Sequence, residues 1–123
     1  MKICACIAEY NPFHLGHLTH LSYIKKELNA DKIIVIMSGN FTQRGECAVV
    51  DKFTRAKHAI FSGADLVIEL PTVFATGNAE IFAKGAINII NSLGVVDEIC
   101  FGVESGSKEE YLTLAEALNN ESR

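Results

Sequence analysis

Two histidines flanking a glycine are the clearest candidates for chemistry in this 123-residue sequence. His14, Gly16 and His17 follow a short apolar run, at a point where a strand would pass into a helix. Side chains three residues apart on a helix are neighbours, and the first helical turn attracts anions through its N–H groups and its dipole. Gly16 would let a phosphate or a flat base approach the backbone closely. The pattern predicts a polyphosphate site whose two imidazoles donate hydrogen bonds to charge developing at phosphorus.

From the residues alone, this phosphate site competes with other interpretations. A histidine at the start of a helix is commonly just a surface or capping residue. A zinc site formed by His14, His17 and His20 is a weaker alternative, because His14 and His20 would face different directions and no HExxH motif occurs. The sequence contains no Walker P-loop motif. It also contains no GxGxxG motif, which disfavours a dinucleotide-binding dehydrogenase.

A polar, glycine-bearing segment, Ser38–Glu46, follows the second apolar run. Its amides, hydroxyl and guanidinium could contact a substrate or a phosphate. These candidates are Asn40, Thr42, Gln43 and Arg44. Lys52 and Arg55, at the start of the next helical pattern, could add to phosphate binding. The alternative for both segments is a solvated loop and a wet helix face.

Apolar runs and helical repeats alternate along the whole chain. Strands are predicted at Lys2–Ala8, Lys32–Met37, Asp65–Leu70 and Val95–Val103. Helices are predicted from Leu18 to Leu28 with a stop at Asn29, from an Asp51 cap through Ile60, from Ala79 to Leu93 with Ile81, Phe82, Ile87 and Ile90 inward and Gly94 at the end, and from a Ser107/Glu110 capping box through Leu118. This order predicts an α/β fold, a Rossmann-like parallel sheet of about four strands with helices on both faces. Ligands bind beyond the carboxyl ends of such strands, where the polar segments should meet.

Composition narrows the class of protein. Hydrophobic residues make up 49% and charged residues 21%, as in ordinary globular domains. The first apolar run is interrupted by Glu9 and no run is long enough for a membrane span, so we expect a cytoplasmic protein without a membrane partner. A net charge of −4 argues against nucleic-acid binding by these residues alone, because such binding depends on neutralising phosphate charge. Cys4 and Cys6 lie at strand spacing without any CxxC pair, which predicts buried core thiols and no metal.

Four runs of the sequence together resemble a known family. They are AEYNPFHLGH at 8–17, MSGNFTQRGE at 37–46, DKFTRAK at 51–57 and FGVE at 101–104. The strand, the turn and the HxGH tetrad are similar to the signature of the HxGH nucleotidylyltransferase superfamily. More narrowly, the four runs resemble the bacterial tRNA(Met) cytidine acetate ligase family, and GNFTQRGE is the most specific of the matching stretches.

The resemblance implies a reaction and a set of site residues. In that family acetate and ATP form acetyl-adenylate, and the acetyl group then passes to N4 of the wobble cytidine of elongator tRNA(Met). It implies that His14 and His17 are catalytic and that Mg²⁺ accompanies ATP. The ATP-binding residues that it implies are Ile7, Ala8, Glu9, Tyr10, Asn11, Pro12, Phe13, His14, Leu15, Gly16, His17, Leu18, Thr19, His20 and Gly102.

The resemblance also implies a longer protein. Family members are several times longer, with a fifth strand, a second phosphate-binding motif and an RNA-binding C-terminal region that residues 1–123 lack. We therefore expect a truncated nucleotidyltransferase-like ATP-binding domain, with tRNA held mainly by the missing region and a sheet edge that would allow a homodimer. The alternatives are an adenylyltransferase acting on a small phosphorylated metabolite, and a non-catalytic nucleotide-binding fragment.

Overall fold

Four parallel strands form one sheet in the computed structural model, which describes residues 1–43 and 45–100. The strands are β1 (Ile3–Ala8), β2 (Lys32–Ser38), β3 (Leu66–Leu70) and β4 (Glu98–Cys100). Their order is β3-β2-β1-β4, with every pairing parallel. The central strands β1 and β2 are therefore covered on both faces, which is why both are continuously apolar.

Helices cover both faces of the sheet, as the alternating pattern predicts. The helices are α1 (Leu15–Lys26), α2 (Lys52–Phe61), α3 (Thr72–Ala75) and α4 (Ala79–Leu93). One core layer joins α1 and α2 to the face that carries Cys4 and Cys6. The other joins α3 and α4 to the face that carries Ala5. The predicted α/β architecture is confirmed, and it brings the ends of β1 and β2 side by side through their register from Ile3–Lys32 to Ala8–Met37.

Local hydrogen bonds explain where the helices begin and end. The Asp51 side chain accepts a hydrogen bond from the backbone N–H of Thr54 at 2.9 Å, which confirms the predicted cap of α2. Asn78 caps α4 in the same way through Ile81 N–H. Gly94 ends α4 at φ 67°, a left-handed conformation that glycine adopts without the steric cost of a side chain.

Several boundaries differ from the predictions. The fourth strand covers Glu98–Cys100 instead of beginning at Val95, and α1 begins at Leu15 instead of Leu18. Helix α3 was not predicted, because a four-residue helix is too short to show a periodic pattern. Ile81 is 43% exposed, so the prediction that it faces inward is wrong. It occupies the first turn of α4 and lies beside Gly77 instead of the sheet.

The predicted last helix, Ser107 to Leu118, lies outside the described residues. Cys4 and Cys6 are buried together in one core cluster, which confirms the prediction of core thiols. No helix among the described residues is both long and apolar enough to cross a membrane.

Candidate nucleotide site

The turn between β1 and α1 is held in place by a buried aromatic side chain. Tyr10 adopts φ 51° and is only 2% exposed. Its ring lies edge-on between the rings of Phe13 and His17, with centroids 4.8 Å and 4.6 Å away. The positive φ turns the chain sharply at the end of β1, and burial of the ring offsets the strain of that conformation. The Asn11–Pro12 peptide bond that follows is cis.

His14 and His17 cap α1 for each other. The His14 Nδ1 atom accepts a hydrogen bond from Gly16 N–H at 3.0 Å, and the His17 Nδ1 atom accepts one from His14 N–H at 3.0 Å. This is a reciprocal capping box built from imidazoles. His14 is therefore the N-cap residue, one position before the helix, and not part of its first turn as the sequence pattern suggested.

The capping bonds fix the chemistry of both rings. A ring nitrogen that accepts an N–H bond carries no proton, so in the neutral form the proton of each imidazole lies on Nε2. The rings stack with their centroids 3.8 Å apart and 25° between their planes. His14 is exposed whereas His17 is 8% exposed. Each ring thus carries an Nε2–H group near the positive end of α1, whose first turn contains no acidic residue.

The remaining residues of the predicted ATP stretch surround this capping box. Ile7 and Ala8 end β1 half-buried beside β2. Leu15, Gly16, Leu18 and Thr19 form the exposed start of α1. His20 is partly buried. The structure therefore gathers residues 7 to 20 around one turn, while the predicted contact Gly102 lies outside the described residues.

The loop after β2 is tied to this turn. The Gln43 backbone N–H donates to Glu9 Oε2 at 2.8 Å, and the Val49 backbone N–H donates to Asn11 Oδ1 at 2.7 Å. Within the loop, Phe41 and Cys47 pair antiparallel. The predicted meeting of the two polar segments at the carboxyl edge of the sheet is therefore what the structure shows.

The predicted substrate-contacting residues of this loop differ in their surroundings. Asn40 is exposed, and Gln43 is partly buried. Thr42 is 6% exposed, with its backbone N–H bonded to Glu46 carbonyl, so its side chain lies inside the loop. Arg44 lies outside the described residues. Asn40 and Gln43 are the described members of the group that solvent reaches.

The side chain of Arg55 lies in the interior and not, as predicted, where it could contact a phosphate. Its side chain is 0% exposed, and its guanidinium donates to the backbone carbonyls of Val50, Glu9, Ser38 and Gly39. Burial lowers its pKa from the ordinary value, while the charges of Asp51, Glu9 and Glu69 raise it. Arg55 therefore lies beneath the site, where its donors bond carbonyls and not a phosphate. Lys52 remains near the surface, paired with Glu69 at 2.9 Å.

A shallow apolar pocket adjoins the capping box and was not predicted. It lies between the start of α1 and the end of α2, and its lining includes Phe13, His14, Leu18, His58 and Phe61. Phe61 is 86% exposed. No local motif marks His58 or Phe61, because their proximity to His14 arises only when α1 and α2 pack on the same face of the sheet.

Metal-binding groups lie away from this turn. Among the described residues, the one group of histidine, cysteine or carboxylate side chains with ligand atoms close enough for an ion is Cys4, Glu98 and Cys100. Cys4 pairs with Glu98 near the amino end of β1, and Cys100 pairs with Cys6 in the middle of β1, so the group lies away from the turn that follows β1.

Comparison with known proteins places this geometry in a family. The family model described as HIGH Nucleotidyl Transferase matches residues 1–123. The tRNA(Met) cytidine acetate ligase of Clostridium perfringens is 54% identical over 121 residues, which is 98% of this chain and 30% of that protein. The chain thus spans about 30% of the length of this curated relative, and the resemblance drawn from the four runs is confirmed.

Solved structures agree with the fold. The crystal structure of Thermotoga maritima TmcAL in its apo form I matches with a TM-score of 0.83 and 47% identity, over 98% of this chain and 29% of that one. A structure of the same protein bound with alpha-thio ATP matches with a TM-score of 0.78 and 50% identity, over 80% of this chain and 24% of that one.

Proposed function

Because this chain belongs to the HIGH nucleotidyl transferase family, we propose that it binds ATP at the β1–α1 turn as part of a tRNA(Met) cytidine acetate ligase. The observation that carries the proposal is the reciprocal capping box of His14 and His17, which stacks two imidazole rings at a helix N-terminus. The ATP analogue in the TmcAL crystal structure supports a nucleotide ligand for this fold. Acetate and tRNA(Met) are proposed as the other substrates because the similar proteins are named tRNA(Met) cytidine acetate ligases.

In the first step acetate is activated. One carboxylate oxygen of acetate attacks the α-phosphorus of ATP, the bond between that phosphorus and the bridging oxygen breaks, and pyrophosphate leaves. The Nε2–H groups of His14 and His17 donate to phosphate oxygens, so they stabilise the negative charge that builds up as the bond breaks. Their Nδ1 atoms are held by backbone N–H groups, so the rings need no reorientation during the step.

In the second step the acetyl group moves to RNA. The N4 amine of the wobble cytidine of elongator tRNA(Met) attacks the acetyl carbonyl carbon, AMP leaves, and the amine loses a proton. Asn40, which is exposed, and Gln43, which is partly buried, belong to the loop that is hydrogen-bonded to the turn, and we propose that they contact the second substrate. Lys52, at the start of α2, is a further candidate for a phosphate contact. Mg²⁺ bound with ATP would neutralise phosphate charge.

A calorimetric measurement of ATP binding tests the nucleotide site. The variant His14→Ala/His17→Ala removes both donors, and we expect it to weaken ATP binding by at least about tenfold, because a hydrogen bond to a charged group is worth about 1.5–3 kcal/mol. His14→Asn is the matched control for capping, since asparagine caps a helix well but offers no imidazole. It should keep the stability of the wild type and still bind ATP more weakly.

Acetate-dependent exchange of labelled pyrophosphate into ATP tests the reaction. Exchange that requires acetate and is lost in the double histidine variant would support acetyl-adenylate formation. Exchange driven instead by a phosphorylated small molecule from an acceptor panel would replace acetate with that class of substrate. Undiminished ATP binding by the double variant would contradict the assigned roles of the histidines.

A further inference from the structure

We propose that Arg55, Glu9 and Asn11 form a clasp, which holds residues 39–43 and 45–49 of the loop after β2 against the β1–α1 turn, and that ATP affinity depends on this clasp being closed. The inference rests on the proposed ATP site at His14 and His17. In it Arg55 is a positioning residue, because it acts through the backbone of the site and not on the nucleotide.

Arg55 joins three segments that are remote in sequence. Its Nη1 atom donates to the Glu9 carbonyl at the end of β1 and to the Ser38 carbonyl at the end of β2. Its Nη2 atom donates to the Gly39 carbonyl, and its Nε atom to the Val50 carbonyl just before α2. A guanidinium offers five N–H donors in a fixed fork, so one buried side chain can hold all three segments at set positions.

The side chains of Glu9 and Asn11 bond the same loop at Gln43 and at Val49. The Glu9 carboxylate accepts from Gln43 N–H, and the Asn11 side-chain oxygen accepts from Val49 N–H. Both acceptors lie between β1 and His14, on either side of Tyr10, whose buried ring packs against His17. A displacement of the loop must therefore move residues that set the position of the two histidine rings.

The reciprocal effect follows from linkage. If closure of the clasp raises the affinity for ATP, bound ATP must favour the closed clasp to the same extent. The backbone amides of Gln43 and Val49 report closure, because each donates to a clasp side chain. We expect saturating ATP to slow hydrogen exchange at these two amides, which lie outside the predicted ATP-binding stretch.

The variant Val49→Pro opens the clasp from outside the nucleotide site. Proline has no N–H, so the bond to Asn11 is lost, while the Val49 side chain is 78% exposed and contributes little packing. Val49→Ala keeps the N–H and is the matched control. We expect Val49→Pro to weaken ATP binding roughly three- to tenfold, the effect of one net hydrogen bond, and Val49→Ala to bind within about twofold of wild type.

Two further variants separate positioning from general loss of stability. Ile90→Val destabilises the core on the opposite face of the sheet, and its ATP affinity should equal that of the wild type. Arg55→Lys keeps a charge but has one nitrogen in place of the fork, so it should weaken ATP binding as Val49→Pro does, which keeps the test available if the proline variant fails to fold.

The outcomes are distinct. Wild-type ATP affinity in both Val49→Pro and Arg55→Lys, with binding still lost in His14→Ala/His17→Ala, would overturn the clasp and leave the proposed function standing. Affinity that falls in Ile90→Val as much as in the clasp variants would also overturn it, since the effect would then be loss of stability. No ATP binding by the wild type would overturn both proposals.

Discussion

Each histidine of the turn uses its two ring nitrogens for different purposes. The Nδ1 atoms accept backbone N–H groups and so end the strand-to-helix turn in a defined way. The Nε2 atoms then carry the N–H groups, which can donate hydrogen bonds to a phosphate. A histidine pair at a helix start can therefore be a structural cap and a phosphate site together, and the two interpretations left open by the sequence are compatible.

At the same scale, burial of Cys6 predicts a pH dependence of stability. Desolvation raises its pKa from 9.0 to about 11. Above pH 9 the unfolded state therefore binds fewer protons than the folded state, so the free energy of unfolding should fall as pH rises from 9 toward 11. One such thiol contributes a slope of up to about 1.4 kcal/mol per pH unit.

Urea unfolding at several pH values between 8 and 10.5, roughly the window of this thiol, measures that slope. Cys6→Ala should make the slope shallower, although it also lowers stability at every pH by leaving a cavity. Cys47→Ala, which removes an exposed cysteine, is the matched control. An equal slope in the wild type and Cys6→Ala would show that folding does not raise the pKa of Cys6.

At the scale of elements, close packing of α3 on α4 depends on Gly85. A Cβ atom at position 85 would overlap the ring of Phe74, which lies on α3. Glycine in a helix interior ordinarily costs up to about 1 kcal/mol relative to alanine. Here the overlap involves atoms next to the Phe74 backbone, so relief requires movement of α3. We expect Gly85→Ala to destabilise the protein by about 1–3 kcal/mol in spite of its better helix propensity.

Thermal or urea unfolding of Gly85→Ala checks this expectation. Phe74→Ala removes the ring atoms Cγ and Cδ1 that the new methyl group would meet but keeps Cβ, so Gly85→Ala should cost less in that background than in the wild type without becoming free of cost. Additive effects of the two substitutions would argue against overlap with the Phe74 ring as the cause. A stabilised Gly85→Ala single variant would show that helix propensity decides at this position.

At the scale of the whole molecule, the net charge governs the affinity of the chain for RNA. Its net charge of −4 gives little phosphate neutralisation. We expect no detectable complex between this chain and elongator tRNA(Met) in a mobility-shift assay at physiological salt, even at micromolar protein. A salt-dependent complex at that concentration would contradict this expectation and would point to an RNA-binding surface within these residues.

The length of the chain bears on the same question. It spans about 30% of the length of the Clostridium perfringens relative, so the tRNA-binding residues of such a protein need not lie in residues 1–123. The expected homodimer stays a prediction. Gel filtration with light scattering would decide it.

Short-range features were readable from the sequence because their causes are local. Periodicity placed the alternating strands and helices, and side chains that bond a backbone group three residues away marked the start of α2 at Asp51. A left-handed glycine marked the end of α4 at Gly94. The HxGH tetrad located the turn, since its two histidines need only each other and the helix start to form the capping box.

Only the tertiary structure determined the environment of the Arg55 side chain and the groups to which it is bonded. Its position on a charged helix start predicted a phosphate contact, but the carbonyls of Glu9, Ser38 and Gly39 come from segments that meet only when β1 and β2 pair. Four hydrogen bonds can offset the cost of burying its charge. The same is true of the apolar pocket beside His14 and of the clasp: both depend on contacts between segments far apart in sequence, which no local pattern encodes.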